Sequence, residues 1–286
     1  MLKRQTSGSV VCPSCGRLVG VQENVCPHCG RSSPGLWGFS RVLQVLGQDV
    51  GFVKLIIGSC AVLYLLTLVT NPSGIGTGGP MSMLSPSSSS LFLFGASGAV
   101  PVFGYHRWWT IISATWLHGS LLHILFNMLW VRQLAPATAR LYGPGRMMLI
   151  YLVSGAAGFL LSSTVGAFGG FLPSFLRGAN LTIGASASIF GLLGALVYYG
   201  RRGGSTALGQ QAWTWAVVLF IFGFIMPGID NFAHLGGFLG GYGMSWVLNP
   251  FQPEKVDHLL AALIGLGLTL AAILASVVLG LPLVAR

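Results

Sequence analysis

Acidic side chains are scarce in this sequence. Only five of its 286 residues are Asp or Glu, and charged residues make up 7% of the chain, against about a quarter in soluble domains. The scarcity excludes the intramembrane carboxylate pair of an aspartyl protease, and the chain has no His-Glu-x-x-His motif of a zinc protease. A carboxylate proton relay is not expected either. With 53% hydrophobic residues, the composition predicts an all-α polytopic membrane protein whose main partner is the lipid bilayer.

Cysteine is almost absent beyond residue 30, where Cys60 stands alone in an apolar run and is expected to be a small buried side chain. The other four cysteines form two Cys-x-x-Cys knuckles ten residues apart: Cys12, Cys15, Cys26 and Cys29. Two knuckles can present four thiolates to one tetrahedral zinc ion, with His28 facing solvent. A disulfide framework and Cys-x-x-Cys redox chemistry are the alternatives.

Residues 1–35 are therefore predicted to be a zinc-ribbon-like module. A module of this size has no sizeable core, so structural zinc would supply its folding energy. It could bind a protein partner or serve only for folding. The net charge of +10 comes from basic residues spread along the chain, so no nucleic-acid partner is expected.

Seven apolar runs follow a linker with an amphipathic pattern, residues 36–51. Each run is near the roughly 20 residues that a bilayer core demands. No cleavable signal peptide is expected, because the first run begins near residue 52. The segment 91–105 is apolar but broken by Gly and Pro, and is expected to lie in the outer interface, anchored by Trp108 and Trp109. The runs span about 52–70, 110–136, 146–168, 184–200, 212–228, 232–249 and 258–281.

The basic residues predict the orientation of these spans. With the N-terminus in the cytoplasm, twelve of the fifteen Lys and Arg residues fall on or near the cytoplasmic side; only Arg107, Arg177 and Arg286 fall outside. This bias fits the positive-inside rule and predicts a multi-pass protein of the cell membrane. It also favours metal over disulfide in the N-terminal module, because the cytosol is reducing.

Polar residues of three runs are expected at a similar depth, in the outer third of the membrane. Ser186 opens the fourth run among small residues, and His234 lies about one turn into the sixth. His123 and Asn127, four apart on one helix face, lie in the second. The small residues around Ser186 could also be only a helix-packing face. Polar groups facing lipid are costly, so we expect these groups to face one another or water.

This set of side chains suits acyl transfer. Ser186 would be the nucleophile and His234 the base that takes its proton. The Ser186 N–H, His123 and Asn127 could donate to the oxyanion of the tetrahedral intermediate. Asp230, four residues before His234, could complete a triad, but we expect it to cap the sixth helix instead. The prediction is a Ser–His dyad that needs no cofactor for catalysis.

The motifs that carry this set resemble those of the rhomboid intramembrane serine proteases. They are His123-Ile124-Leu125-Phe126-Asn127 in the second run, Gly184-Ala185-Ser186 in the fourth, and His234-x-x-Gly237-x-x-x-Gly241 in the sixth. The resemblance implies a six-helix rhomboid-like core over residues 52–250. A seventh transmembrane span, in residues 251–286, and the zinc module would be additions to it. It implies a serine endopeptidase that cleaves single-span membrane proteins near the outer membrane boundary.

The chain departs from the family pattern in two places. Ala187 stands where the family has Gly after the serine, which could widen the contact between the fourth and sixth helices. The Trp-Arg pair common in the first external loop reads Trp109-Thr110. A second match to the short serine motif, Gly95-Ala96-Ser97-Gly98, opens no predicted helix, so Ser97 is interpreted as a loop residue.

Two other functions are compatible with a polytopic chain. An inactive relative could bind membrane helices without cleaving them, although the presence of both Ser186 and His234 argues against this. A transporter or channel is disfavoured by the lack of intramembrane carboxylates and of visible inverted repeats.

Overall fold

The computed structural model describes residues 4–39, 49–173, 177–226 and 228–284. Its N-terminal part is a small antiparallel hairpin of β1 (Ser9–Val11) and β2 (Leu18–Gly20). Alternate residues of the strands point to opposite faces, and Val10 and Val19, paired across the hairpin, are buried against Cys12 and Cys26. Cys12 and Cys26 are thus part of a very small core.

Beyond residue 48 the described chain is mostly helical, as predicted. The long helices are α1 (Asp49–Thr70), α2 (Leu121–Tyr142), α3 (Pro144–Phe168), α4 (Ser186–Gly203), α5 (Thr206–Ile225), α6 (Asn231–Leu248) and α7 (Val256–Val284). Among the described residues, four helices are long and apolar enough to cross a membrane: α1, α3, α5 and α7. A fifth span results if α2 is counted together with the short helical segment before it.

Helices α4 and α6 are less apolar than these four helices. Their position in the bundle explains the difference. Every residue of α4 from Ala187 to Tyr198 is buried inside the bundle. A helix covered by other helices does not need large apolar side chains, and small residues allow close backbone packing. The buried residues of α6 include Gly236, Gly237 and Gly241, which lie against α3 and α4.

The expectation of one continuous second span over 110–136 is wrong. Residues Thr110–Trp116 form short helical turns that meet α2 at an angle of 93°. The helix α2 starts only at Leu121, because the Ser120 hydroxyl accepts a hydrogen bond from the His123 N–H and caps the new helix. The break places His118 between the two segments and His123 in the first turn of α2.

The connection between α1 and α2 contains helical segments. It contains a short helix, Ser88–Phe94, and a π-helical turn, Val100–Gly104. Most of the predicted amphipathic linker, residues 40–48, lies outside the described residues. Cys60 is fully buried in α1, as expected.

Candidate active site

Ser186 is the first residue of α4. The preceding Gly184 has φ +124°, a conformation that favours glycine. Its N–H donates to the Ala114 carbonyl and holds the approach to the helix. Because the first-turn N–H groups of a helix have no partner within it, the Ser186 amide lies at the positive end of α4.

Helices α4 and α6 touch backbone to backbone just beyond Ser186. A Cβ placed on Gly237 would overlap with the Ala187 carbonyl oxygen, and one on Gly241 with the Gly191 carbonyl oxygen. Glycine at both positions lets the two helices approach as closely as their backbones allow. This packing places the second turn of α6 beside the first turn of α4.

His234 lies in the first turn of α6, with 6% of its surface exposed. Its ring stacks on Phe190 of α4, with centroids 4.1 Å apart and planes 14° apart. Residues four apart share a helix face, so Ser186 lies on the face of α4 that carries the His234 ring. Within the described residues, His234 Nδ1 is buried without a hydrogen-bond partner.

His123 approaches the segment just before Ser186. Its Nδ1 accepts a hydrogen bond of 3.2 Å from the Gly119 N–H, so the neutral ring carries its proton on Nε2. A Cβ on Gly184 would lie 2.7 Å from that Nε2 and 3.8 Å from Ser186 Oγ. Glycine at position 184 therefore gives the imidazole N–H room beside the serine.

Asn127 lies one turn after His123 and is 5% exposed. Its side-chain amide donates a 2.8 Å hydrogen bond to the His123 carbonyl. An amide NH₂ has two hydrogens, so one donor remains for another acceptor. The bond fixes Asn127 on the face of α2 that also carries His123.

Asp230 is the N-cap of α6, as expected. One carboxylate oxygen accepts from the Ala233 N–H at 3.0 Å, and the other from the Ser162 hydroxyl at 2.5 Å. Both oxygens are thus engaged away from His234 Nδ1. Among the described residues, Asp230 therefore acts as a helix cap and gives His234 Nδ1 no hydrogen bond.

The methyl group of Ala187 is not what contacts Gly237 of α6. It points to α3, where a Cβ on Gly158 would lie 2.8 Å from it. Gly158 provides the space, and the side of α4 turned to Gly237 is the Ala187 backbone. An alanine at this position is therefore accommodated without pushing α4 and α6 apart.

Ser97 lies in a hydrogen-bonded backbone bridge. Its N–H and C=O pair with Thr182 in an isolated antiparallel bridge, with bonds of 3.0 and 2.8 Å. Its hydroxyl lies 3.4 Å from the Ser163 hydroxyl. The bridge connects the loop before α2 to the segment that leads into Ser186.

Arg107 anchors this loop, a role that was not predicted from the sequence. It is 2% exposed, donates to the carbonyls of Phe92 and Ser276, and lies 4.3 Å from the Phe92 ring. Burial lowers the pKa of Arg107. Trp109 Nε1 donates to the Ser276 hydroxyl of α7 at 3.0 Å. An arginine directly before two tryptophans was a signal that could have found this anchor.

The four N-terminal cysteines form the second candidate site. Their sulfur atoms all lie within 4.8 Å of one another, with Cys12 Sγ 3.7 Å from Cys29 Sγ and Cys15 Sγ 3.8 Å from Cys26 Sγ. Four thiolates with bonds of about 2.3 Å to one tetrahedral ion would have sulfur–sulfur edges of about 3.8 Å. The cluster could therefore hold a metal ion, and His28 is exposed outside it.

The thiols of this cluster influence one another's ionisation. Burial would raise the pKa of Cys26, but hydrogen bonds from the backbone of His28 and Cys29 and from neighbouring thiols lower it to about 7. A backbone hydrogen bond from Arg31 lowers the pKa of Cys29, whereas burial and the other sulfurs raise it, on balance to about 12. A bound cation would remove this difference in pKa between the thiols, because it deprotonates every thiol that coordinates it.

Comparison with known proteins places the chain in a family. A family model described as the rhomboid domain matches residues 105–251, which include Ser186, His234, His123 and Asn127. The match covers half of the chain, and the chain therefore belongs to the rhomboid family. It is a multi-pass membrane protein of this family with an added N-terminal four-cysteine cluster.

Individual relatives differ in what their names say about activity. "RHOMBOID-like protein 4" of Arabidopsis thaliana is 34% identical over 170 residues, 58% of this chain and 40% of that protein. "Rhomboid protease GluP" of Bacillus subtilis is 33% identical over 161 residues, 55% of this chain and 29% of that protein. "Inactive RHOMBOID-like protein 8" of Arabidopsis thaliana is 31% identical over 165 residues, 55% of this chain and 43% of that protein. The chain thus spans half or less of the length of these relatives.

Proposed function

We propose that this protein is an intramembrane serine endopeptidase that uses Ser186 and His234 as a catalytic dyad. The observation that carries the proposal is the stack of Phe190 on His234, because it turns the Ser186 face of α4 towards the imidazole. The backbone contact of α4 with α6 supports it by holding the N-terminal turns of the two helices close together. The engaged oxygens of Asp230 support a dyad over a triad.

The proposed reaction has two stages. Ser186 Oγ attacks the peptide carbonyl while His234 takes its proton, and the protonated imidazole then gives that proton to the leaving amine. Water, activated by the same histidine, hydrolyses the acyl-enzyme. The Ser186 N–H, the His123 Nε2–H and the free Asn127 amide hydrogen stabilise the oxyanion in both stages.

The proposed substrates are single-span membrane proteins, cut near their outer membrane boundary. Ser186, His234 and His123 all lie in the first turns of helices that enter from outside if the N-terminus is cytoplasmic. A regular helix hides its carbonyls in its own hydrogen bonds, so small or helix-breaking residues near that boundary would favour attack. We propose residues 52–250 as the core domain and residues 251–286 as an added span.

Cleavage of such a substrate tests the proposed function and its orientation together. We expect the purified protein in lipid vesicles to cut a single-span model substrate within about two helical turns of its outer boundary. The product termini are read by mass spectrometry. Cuts clustered at the cytoplasmic end of the substrate helix would contradict the orientation, and no cut in any single-span substrate would contradict the enzyme.

We propose zinc as the metal of the cysteine cluster. The full-length protein should contain one equivalent of zinc per chain, and Cys15→Ser should lower this content several-fold because a ligand is lost. Cys60→Ser serves as the control, since Cys60 is buried in α1 away from the cluster. Elemental analysis measures the metal; less than half an equivalent in the unaltered protein would contradict the proposal.

A further inference from the structure

The cysteine module is built from two copies of one short pattern. Cys12-Pro13-Ser14-Cys15-Gly16-Arg17 and Cys26-Pro27-His28-Cys29-Gly30-Arg31 differ only at the third position. In each copy the N–H of the first cysteine donates to the carbonyl of the arginine, at 2.7 Å in the first copy and 2.8 Å in the second. The two glycines have the same positive φ, +73° and +72°. The two arginine backbones are therefore equivalent.

The two arginine side chains contact different partners. Arg17 extends along the exposed surface to His28 Nδ1, 3.2 Å away. Arg31 donates two parallel hydrogen bonds, of 2.9 and 2.7 Å, to the carboxylate of Asp257 in the first turn of α7. It also donates at 2.9 Å to the hydroxyl of Ser14, in the other knuckle. Arg31 thus joins both knuckles to the start of the seventh helix.

The start of α7 is itself packed on the core. A Cβ on Gly145, at the start of α3, would lie 2.7 Å from the Leu259 N. Arg146, 2% exposed, donates to His258 Nδ1 at 3.2 Å. Farther along α7, Ser276 accepts the hydrogen bonds of Arg107 and Trp109 described above. A group held at Asp257 is therefore held against the body of the protein.

We propose that the metal-loaded cysteine module docks on the seventh helix through Arg31 and Asp257, and that loss of the metal releases it. The position of the Arg31 guanidinium depends on both knuckles, through its own backbone in one and Ser14 in the other. The metal is what fixes the knuckles relative to each other, because the module has almost no other core. The inference rests on the proposed metal site and is independent of the proposed protease activity.

The geometry of the Arg31–Asp257 pair and the connection within one chain both favour the docked position. Exposed pairs are weak between separate molecules, and the Asp257 side chain is 57% exposed. The Arg31 side chain is only 17% exposed, and its bidentate geometry strengthens each bond. The connection within one chain also raises the effective concentration of the module to about millimolar, so docking requires less affinity than it would between separate molecules.

Hydrogen–deuterium exchange of the full-length protein in lipid nanodiscs tests this docking without any cleavage assay. Arg31→Gln should keep its zinc, because the carbonyl that supports Cys26 is unchanged. Exchange in the first two turns of α7, residues 257–264, should become about two- to fivefold faster, in line with the loss of one partly exposed pair. Asp257→Asn should give the same increase, and the double variant no more.

The matched control is Arg17→Gln, which alters the equivalent arginine of the other knuckle and should leave exchange in residues 257–264 unchanged. Removal of zinc with a chelator should speed this exchange in the unaltered protein and leave Asp257→Asn unaffected. Equal exchange in Arg31→Gln and Arg17→Gln would overturn the docking. A chelator that leaves residues 257–264 of the unaltered protein unchanged would overturn its dependence on metal.

Discussion

Replacement of Ser186 by Ala is expected to abolish cleavage of a single-span substrate. His234→Ala should be equally inactive, and the double variant no worse, because nucleophile and base act as one unit. We expect a loss of at least about 10⁴-fold in each case. His123→Ala should keep residual activity, since one oxyanion donor contributes about 3 kcal/mol. Initial rates in vesicles at one protein concentration measure all of these variants.

Two variants serve as controls for this result. Ser97→Ala should remain active, because Ser97 is paired with Thr182 and its hydroxyl lies beside Ser163. Asp230→Asn should retain most activity, because Asn also caps helices well. An active Ser186→Ala variant would refute the nucleophile, and an Asp230→Asn variant as inactive as His234→Ala would refute the dyad.

Gly241→Leu is expected to destabilise the protein and to remove its activity. Gly241 touches the backbone of Gly191, so a side chain there must force α4 and α6 apart. Overpacking of this kind typically costs about 1–3 kcal/mol, and a backbone contact that cannot yield belongs at the upper end. The midpoint of thermal unfolding in detergent and the cleavage rate should both fall.

Gly243→Leu is the matched control for this substitution. Gly243 lies two residues farther along the same helix, is exposed, and has open space where a Cβ would be. Its replacement should leave the unfolding midpoint unchanged or slightly higher, because glycine disfavours helix by roughly 0.5–1 kcal/mol. Similar losses of stability at the two positions would show that backbone contact of α4 with α6 is not what requires glycine.

The sequence was sufficient to predict the long helices and the cysteine cluster. Apolar runs of span length are strong signals. Each of the seven predicted runs overlaps one of the seven long helices, although the ends differ. The two Cys-x-x-Cys knuckles identified the four members of the cluster, because each knuckle brings two thiols to one point. Asp230 was recognisable as a helix cap from its position before an apolar helix.

The sequence did not reveal where the second span bends. Residues 110–117 are as apolar as those of a membrane helix, so hydropathy alone runs through the break. Ser120, three residues before His123, is a capping signal that marks the true start of α2. The contacts of Arg107 could not be predicted either, because they join residues as far apart as 107 and 276. Long-range partners of this kind depend on helix packing, which local patterns do not contain.

The direct test of the central claim is covalent labelling of the protein with a fluorophosphonate, followed by mass spectrometry of the labelled peptide. An activated serine reacts with this reagent, whereas a hydroxyl without a base does not. The account predicts one adduct, on Ser186, that is lost in both Ser186→Ala and His234→Ala. An adduct on Ser97 or on another serine, or labelling of Ser186 that persists in His234→Ala, would contradict it.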